Sequence, residues 1–187
     1  MGRYLNADEK TAQFEAMVMP HLDAAYNLAR WLTRDAHEAD DLVQNAYLRA
    51  FRFADSYRGG NARAWLMTIV RHTYFSTVRA ADGRRADVAF DEALHGDGDM
   101  AADASFGSAR DPALTAESRD AAQSVDRALA CLPAIFREVL VMKEMDDLSY
   151  KEIAQVTDLP IGTVMSRLAR ARKLLLSCLT PPPGVSS

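Results

Sequence analysis

The side chains with the most chemical promise in this chain are cations and rings, not nucleophiles or metal ligands. Near the C-terminus, Thr163, Met165, Ser166, Arg167, Arg170 and Lys173 fall in one short stretch, and residues 160–178 contain no acid. Upstream, Arg58, Arg63, Arg71 and Arg79 are interleaved with Trp65, His72, Tyr74 and Phe75. Guanidinium forks read guanine and hold phosphates, while rings stack on unpaired bases, so both stretches fit nucleic-acid contact. Catalysis fits poorly. His21, His37, His72 and His95 are scattered, and His37-Glu38-Ala39-Asp40-Asp41 lacks the second histidine of a zinc-protease helix. Asp97-Gly98-Asp99 begins like a calcium loop but lacks the later acidic ligands. With no P-loop or Gly-rich dinucleotide turn, neither an enzyme nor a cofactor is expected. Cys131 and Cys178 form no Cys-x-x-Cys pair and, at helix ends, read as buried or inert thiols.

The elements that must position these residues are helices. Between Phe14 and Arg79 no proline follows Pro20 and glycine occurs only as Gly59-Gly60. The periodicity predicts helices over about 12–33, 36–54 and 61–80, broken around Ser56–Gly60. Downstream, helices are expected at 117–131, 134–145 and 150–157, and from Pro160 to about 179. Ser149-Tyr150-Lys151-Glu152 has the form of a capping box, and Pro160 suits a first helical turn. Two helices joined by Asp158-Leu159-Pro160 make a helix-turn-helix, with Ile153, Ala154, Leu159, Val164 and Leu168 as its core. Met165, Ser166, Ala169, Arg170 and Lys173 then share the outer face, flanked by Arg167 and Arg172. The same face also fits a solvated charged helix in an ordinary bundle.

Charge and composition divide the chain. The net charge is −4, but residues 1–80 and 121–187 each carry +1 and residues 81–120 carry −6. The middle stretch is rich in Ala, Asp and Gly with few large apolar residues, too few to offset the entropy of ordering it. The fold class expected is all-α: two small helical domains at 1–80 and 117–180, a flexible acidic linker at 81–116, and a disordered tail at 181–187. No apolar run reaches the roughly 20 residues of a membrane span. The N-terminus has no signal core, and the short tail leaves no room for a further domain, so a cytoplasmic location is expected.

The motifs also carry a resemblance. Leu148-Ser149-Tyr150-Lys151-Glu152-Ile153-Ala154, followed by Pro160–Arg172, resembles region 4 of bacterial extracytoplasmic-function (ECF) sigma factors. Ala39–Phe51 resembles region 2.2 of that family, and Arg63–His72 resembles its region 2.3–2.4 helix. The resemblance implies a promoter-specificity subunit of RNA polymerase that recognises −35 and −10 elements. Asp40, Asp41, Leu42, Val43, Gln44 and Asn45 would dock on the clamp helices of the largest catalytic subunit, with Asn45 where relatives carry glutamate. Arg58, Arg63, Arg71, His72, Tyr74, Phe75 and Arg79 would hold the −10 strand. His72 stands where many relatives use asparagine. Thr163, Met165, Ser166, Arg167, Arg170 and Lys173 would meet the −35 element, with Met165 replacing a common basic residue. The implied partners are core polymerase, including the flap of its second large subunit, promoter DNA and an anti-sigma factor, without membrane insertion.

Two rival readings remain open on the residues. One is a self-sufficient helix-turn-helix regulator that binds duplex operators without polymerase. The other is a sigma-like protein that sequesters a regulator and never starts transcription.

Overall fold

The computed structural model describes residues 7–82 and 116–179. The acidic linker and the C-terminal tail expected from the sequence lie largely outside these residues. The described residues are helical, without strands. A first module contains α1 (Ala7–Val18), α2 (Leu22–Thr33), α3 (Ala36–Arg52) and α4 (Ala62–Asp82). A second contains α5 (Ala116–Cys131), α6 (Ala134–Glu144), α7 (Tyr150–Thr157) and α8 (Ile161–Leu179).

The helix expected over 12–33 is two helices. Pro20 lacks an amide hydrogen and its ring obstructs the preceding turn, so the chain passes through a 3-10 turn at Met19–His21 before α2 begins. Asp35 caps α3, its carboxylate accepting from the His37 amide at 2.8 Å and the Glu38 amide at 3.0 Å. The break before α4 falls at Gly59 and Gly60, both at positive φ (84° and 104°), a conformation open to glycine without strain. Asn61 then caps α4 by accepting from the Ala64 amide at 3.0 Å.

The capping box on α7 is present. The Glu152 amide donates to Ser149 Oγ at 3.3 Å, and the Ser149 amide donates to Glu152 Oε2 at 2.8 Å. Bonds from Ser149 hold the Glu152 carboxyl below its ordinary range. A depressed acid stabilises the fold above its unfolded pKa and loses that contribution as pH falls through the folded value. Ser149→Ala is therefore expected to cost about 1 kcal/mol at neutral pH. Thermal melts of wild type and variant should converge as the pH drops below the carboxylate range.

The two modules do not stand apart. Their apolar side chains form one continuous core, from Leu28, Leu66 and Met67 in the first to Phe136, Ile153 and Leu168 in the second. Helix α2 packs on α6, and α4 packs on α7. Polar contacts reinforce the seam: Asn27 Nδ2 donates to Asp146 Oδ1 at 3.0 Å, Arg63 donates to the Asp146 carbonyl, and Asn61 donates to Glu152. The linker's composition predicted separated modules, but it says nothing about whether their faces match. Matching faces close the chain.

Candidate nucleic-acid interface

Helix α8 owes its position to the packing beneath it. Val164, Leu168 and Ala171 are buried, against Ile153 and Val156 of α7 and the α6 core. This orientation leaves Met165, Ser166, Ala169, Arg170 and Lys173 on the outside, as their spacing predicts. Met165 is 52% exposed. Ser166 Oγ donates to the Thr163 carbonyl at 2.9 Å, and Thr163 is half-buried at the start of the helix. The Arg170 guanidinium lies 5.5 Å from the Phe136 ring, which steadies it at the edge of the face. Arg172 donates to Glu144 Oε1 at 2.7 Å, fixing the flank.

Arg167 departs from this picture. It is 4% exposed and lies 3.8 Å from Glu138 Oε1, inside the molecule. Arg71 of α4 meets the same carboxylate, its Nε donating to Oε2 at 2.8 Å and its Nη2 to Oε1 at 3.2 Å. Arg71 is 9% exposed and Glu138 is fully buried. One buried carboxylate of α6 thus gathers a cation from each helix whose spacing suggested DNA contact. Burial pushes the Glu138 carboxyl up, and the Arg71 and Arg167 charges pull against it. Burial likewise lowers Arg167 against the opposing pull of Glu138.

The remaining α4 residues are split between seam and solvent. Arg58, His72 and Arg79 are exposed, while Arg63 is drawn toward Asp146. Partial desolvation and the Arg71 charge hold the His72 imidazole below its ordinary range. Tyr74 and Phe75 are half-buried and meet edge to face at 5.1 Å, with the Arg71 guanidinium 4.8 Å from the Phe75 ring. Burial raises the Tyr74 hydroxyl above its usual range. Trp65 packs against Tyr57 at 5.2 Å and lines the core edge.

On α3, Asp40, Asp41, Gln44 and Asn45 are exposed, Val43 is half-buried, and Leu42 is core. Leu42 therefore anchors the ridge from beneath rather than presenting itself to a partner. Asp40, Val43 and Gln44 line an open groove of about 640 Å³ with Leu22, Tyr47 and Leu48. Tyr47 and Leu48 were not singled out in the sequence, because neither falls in the Asp40–Asn45 motif. Leu48 is exposed, as are Phe51 and Phe53 at the end of the same helix and just beyond it.

Sequence reasoning also missed the charged pair Arg137–Glu138. Arg137 is 2% exposed and donates to three backbone carbonyls, Trp31 at 2.6 Å, Leu129 at 3.0 Å and Leu132 at 2.6 Å. Burial lowers it to about 10, so it remains a cation. The cysteines, expected to be buried or inert, are both exposed.

Comparison with known proteins gives these faces a context. Residues 17–84 match the family model for sigma-70 region 2, and residues 122–175 match that for sigma-70 region 4. The chain is 32% identical to the ECF RNA polymerase sigma-E factor of Escherichia coli K12, over 77% of this chain and 75% of that protein. It is 33% identical to the ECF RNA polymerase sigma factor SigE of Mycolicibacterium smegmatis over 87% of its own length, and spans 60% of that relative. Among solved structures, the sigma factor RpoE in complex with the anti-sigma factor NepR from Bartonella quintana matches with a TM-score of 0.67 and 28% identity. That match covers 89% of this chain and 96% of the RpoE chain.

Proposed function

The chain belongs to the extracytoplasmic-function sigma factors of the sigma-70 family, and we propose on that premise how it works. It docks on core RNA polymerase through the α3 groove, meets the −10 strand with α4 and the −35 element with α8, and promotes initiation of transcription. It supplies recognition and strand capture, and the polymerase supplies the chemistry, so the chain itself is not an enzyme. No helix among the described residues is long and apolar enough to cross a membrane, and a cytoplasmic site of action fits its partners.

The observation that carries the reading is the meeting of Arg71 and Arg167 on Glu138. In the closed chain, a cation from each DNA-facing helix is spent on a carboxylate rather than on a phosphate. Opening the seam frees Arg71 from Glu138, while Arg167 keeps that carboxylate as a neighbour within the second module, and polymerase achieves this opening by holding the modules apart on its surface. An anti-sigma factor is the natural antagonist, since stabilising the closed form keeps Arg71 hidden. RpoE, similar in fold, has a solved structure in complex with the anti-sigma factor NepR.

Run-off transcription with core polymerase tests this. A discrete product with core enzyme, and little duplex binding by the chain alone, is expected. Tight binding of duplex operators without polymerase favours a self-sufficient regulator, and absence of any product favours a sequestering protein. On the outer face of α8, exposed Met165 leaves a gap in the cationic surface. Met165→Arg is expected to strengthen −35 binding several-fold and to steepen its salt dependence by about one phosphate contact. Unchanged or weaker binding in a salt titration rejects that placement of α8.

A further inference from the structure

Helix α4 carries Arg63, Arg71 and Arg79 and no acid before Asp82. In the closed chain, three acidic residues of the second module meet it at successive stations. At the N-terminus, Asn61 caps the helix through Oδ1 and donates from Nδ2 to Glu152 of α7. In the first turn, Arg63 donates to the Asp146 carbonyl and lies 3.7 Å from the Asp146 carboxylate, in the turn after α6. Further along, Arg71 grips Glu138 of α6 with two hydrogen bonds. The Arg63 and Arg71 stations are about 12 Å apart at 1.5 Å per residue. Asp146 and Glu138 are both buried, so these are contacts of the seam itself and not of its rim.

A helix with cations along it and no acid in its first turn attracts an anionic chain. Carboxylates set at intervals along such a helix stand in for phosphates. We propose that Glu152, Asp146 and Glu138 together are a built-in mimic of the −10 strand, which occupies the strand's track on α4 while the chain is closed. This rests on the reading of α4 as the −10 helix, and it extends the masking from Arg71 to Arg63 and Asn61.

The mimic is one-sided. Helix α8 contributes no acid to it, and Met165, Ser166, Arg170 and Lys173 are exposed in the closed chain. Closure therefore withholds the −10 track and leaves the outer face of α8 uncovered. Strand and mimic exclude each other, so by linkage a bound single strand opens the seam by as much as the seam weakens the strand.

The test uses the purified full chain with fluorescent labels on α3 and α8. Phosphate contacts carry no sequence information, so the probes are short DNA of random sequence, one single-stranded and one duplex. Single strand is expected to move the labels of the wild-type chain apart, and duplex to leave them in place. Asp146→Asn and Glu152→Gln should each tighten single-strand binding by about three- to tenfold, because affinity follows the open fraction. Duplex binding should not change. Glutamine also serves at the third position of a capping box, so α7 keeps its start. Bound to core polymerase, with the seam already open, both variants should hold the strand as the wild type does. Labels that saturating single strand does not move overturn the proposal. So do variants whose strand affinity is unchanged in the free chain, or whose duplex affinity rises equally. The premise fails separately: Arg63→Ala that leaves strand binding by the polymerase-bound chain intact removes α4 from the −10 strand, and the mimic with it.

Discussion

Glu138→Gln is expected to open the closed chain and to increase the affinity of the free protein for promoter DNA at least tenfold. In the wild type, Arg71 reaches across the seam to grip both oxygens of Glu138, and Arg167 lies behind. An amide removes the negative charge and turns one acceptor into a donor that faces an arginine N–H. Burial makes the glutamate anion costly in itself, but two buried guanidinium ions without it cost more. Removing one member of such a cluster typically costs about 3–5 kcal/mol. The chain can avoid part of that cost by opening, because Arg71 sits on the opposite module from Glu138 and Arg167 and regains water when the seam parts. Each module keeps its own packing, so the variant should separate rather than unfold. A shift of about 3 kcal/mol is more than a hundredfold in the closed-to-open ratio. Apparent DNA affinity scales with the fraction of competent chain.

Two measurements check this: the distance between fluorescent labels on α3 and α8, and anisotropy with fork-junction DNA. Arg71→Ala supplies the contrast. It should also open the chain, yet lose a −10 contact and gain little affinity. Glu138→Gln protein with unchanged label distance, or open protein with unchanged affinity, would refute the masking of these arginines.

What could be read from the sequence follows the range of the interactions. The helix-turn-helix was legible because its signals are local: the Ser149–Glu152 box, the Asp158-Leu159-Pro160 turn and the apolar spacing of Val164 and Leu168. Asp158 adopts φ 55° at that turn, which a short polar side chain tolerates. The Pro20 break was as local, but a long apolar period on both sides drew the reading across it. The seam was not legible. Arg71, Glu138 and Arg167 are far apart in sequence, and a charge on a helix gives no local sign of whether it faces solvent or an opposite charge. Arg167 was placed at the flank of the exposed face by its angle alone, and a modest rotation of α8 moves that flank inside. The α3 ridge falls between these cases: its residues were singled out by the family resemblance of Ala39–Phe51, while the groove needs Leu22 from the neighbouring helix.

Arg137→Met should be the most destabilising conservative change in the second module, lowering stability by about 3 kcal/mol or more. Its three acceptors explain why. The Trp31 carbonyl belongs to the last turn of α2, the Leu129 carbonyl to the last turn of α5, and Leu132 follows that helix. Carbonyls at helix C-termini lack partners within their own helix, and the negative end of each helix dipole favours a cation. One guanidinium answers both helices at once. Methionine matches its length and fills the space but donates nothing, so the buried acceptors are left at about 1–3 kcal/mol each, with losses that do not simply add. Lysine keeps the charge but not the planar fork, so Arg137→Lys should fall between wild type and methionine. The pattern differs from that of Glu138→Gln. Two of the three carbonyls lie within the second module, so its own unfolding midpoint in urea should drop, whereas Glu138→Gln should part the modules with that midpoint nearly kept. If Arg137→Met and Glu138→Gln move the same observable by the same amount, the neighbouring charges on α6 do not divide the work between holding the module and holding the seam.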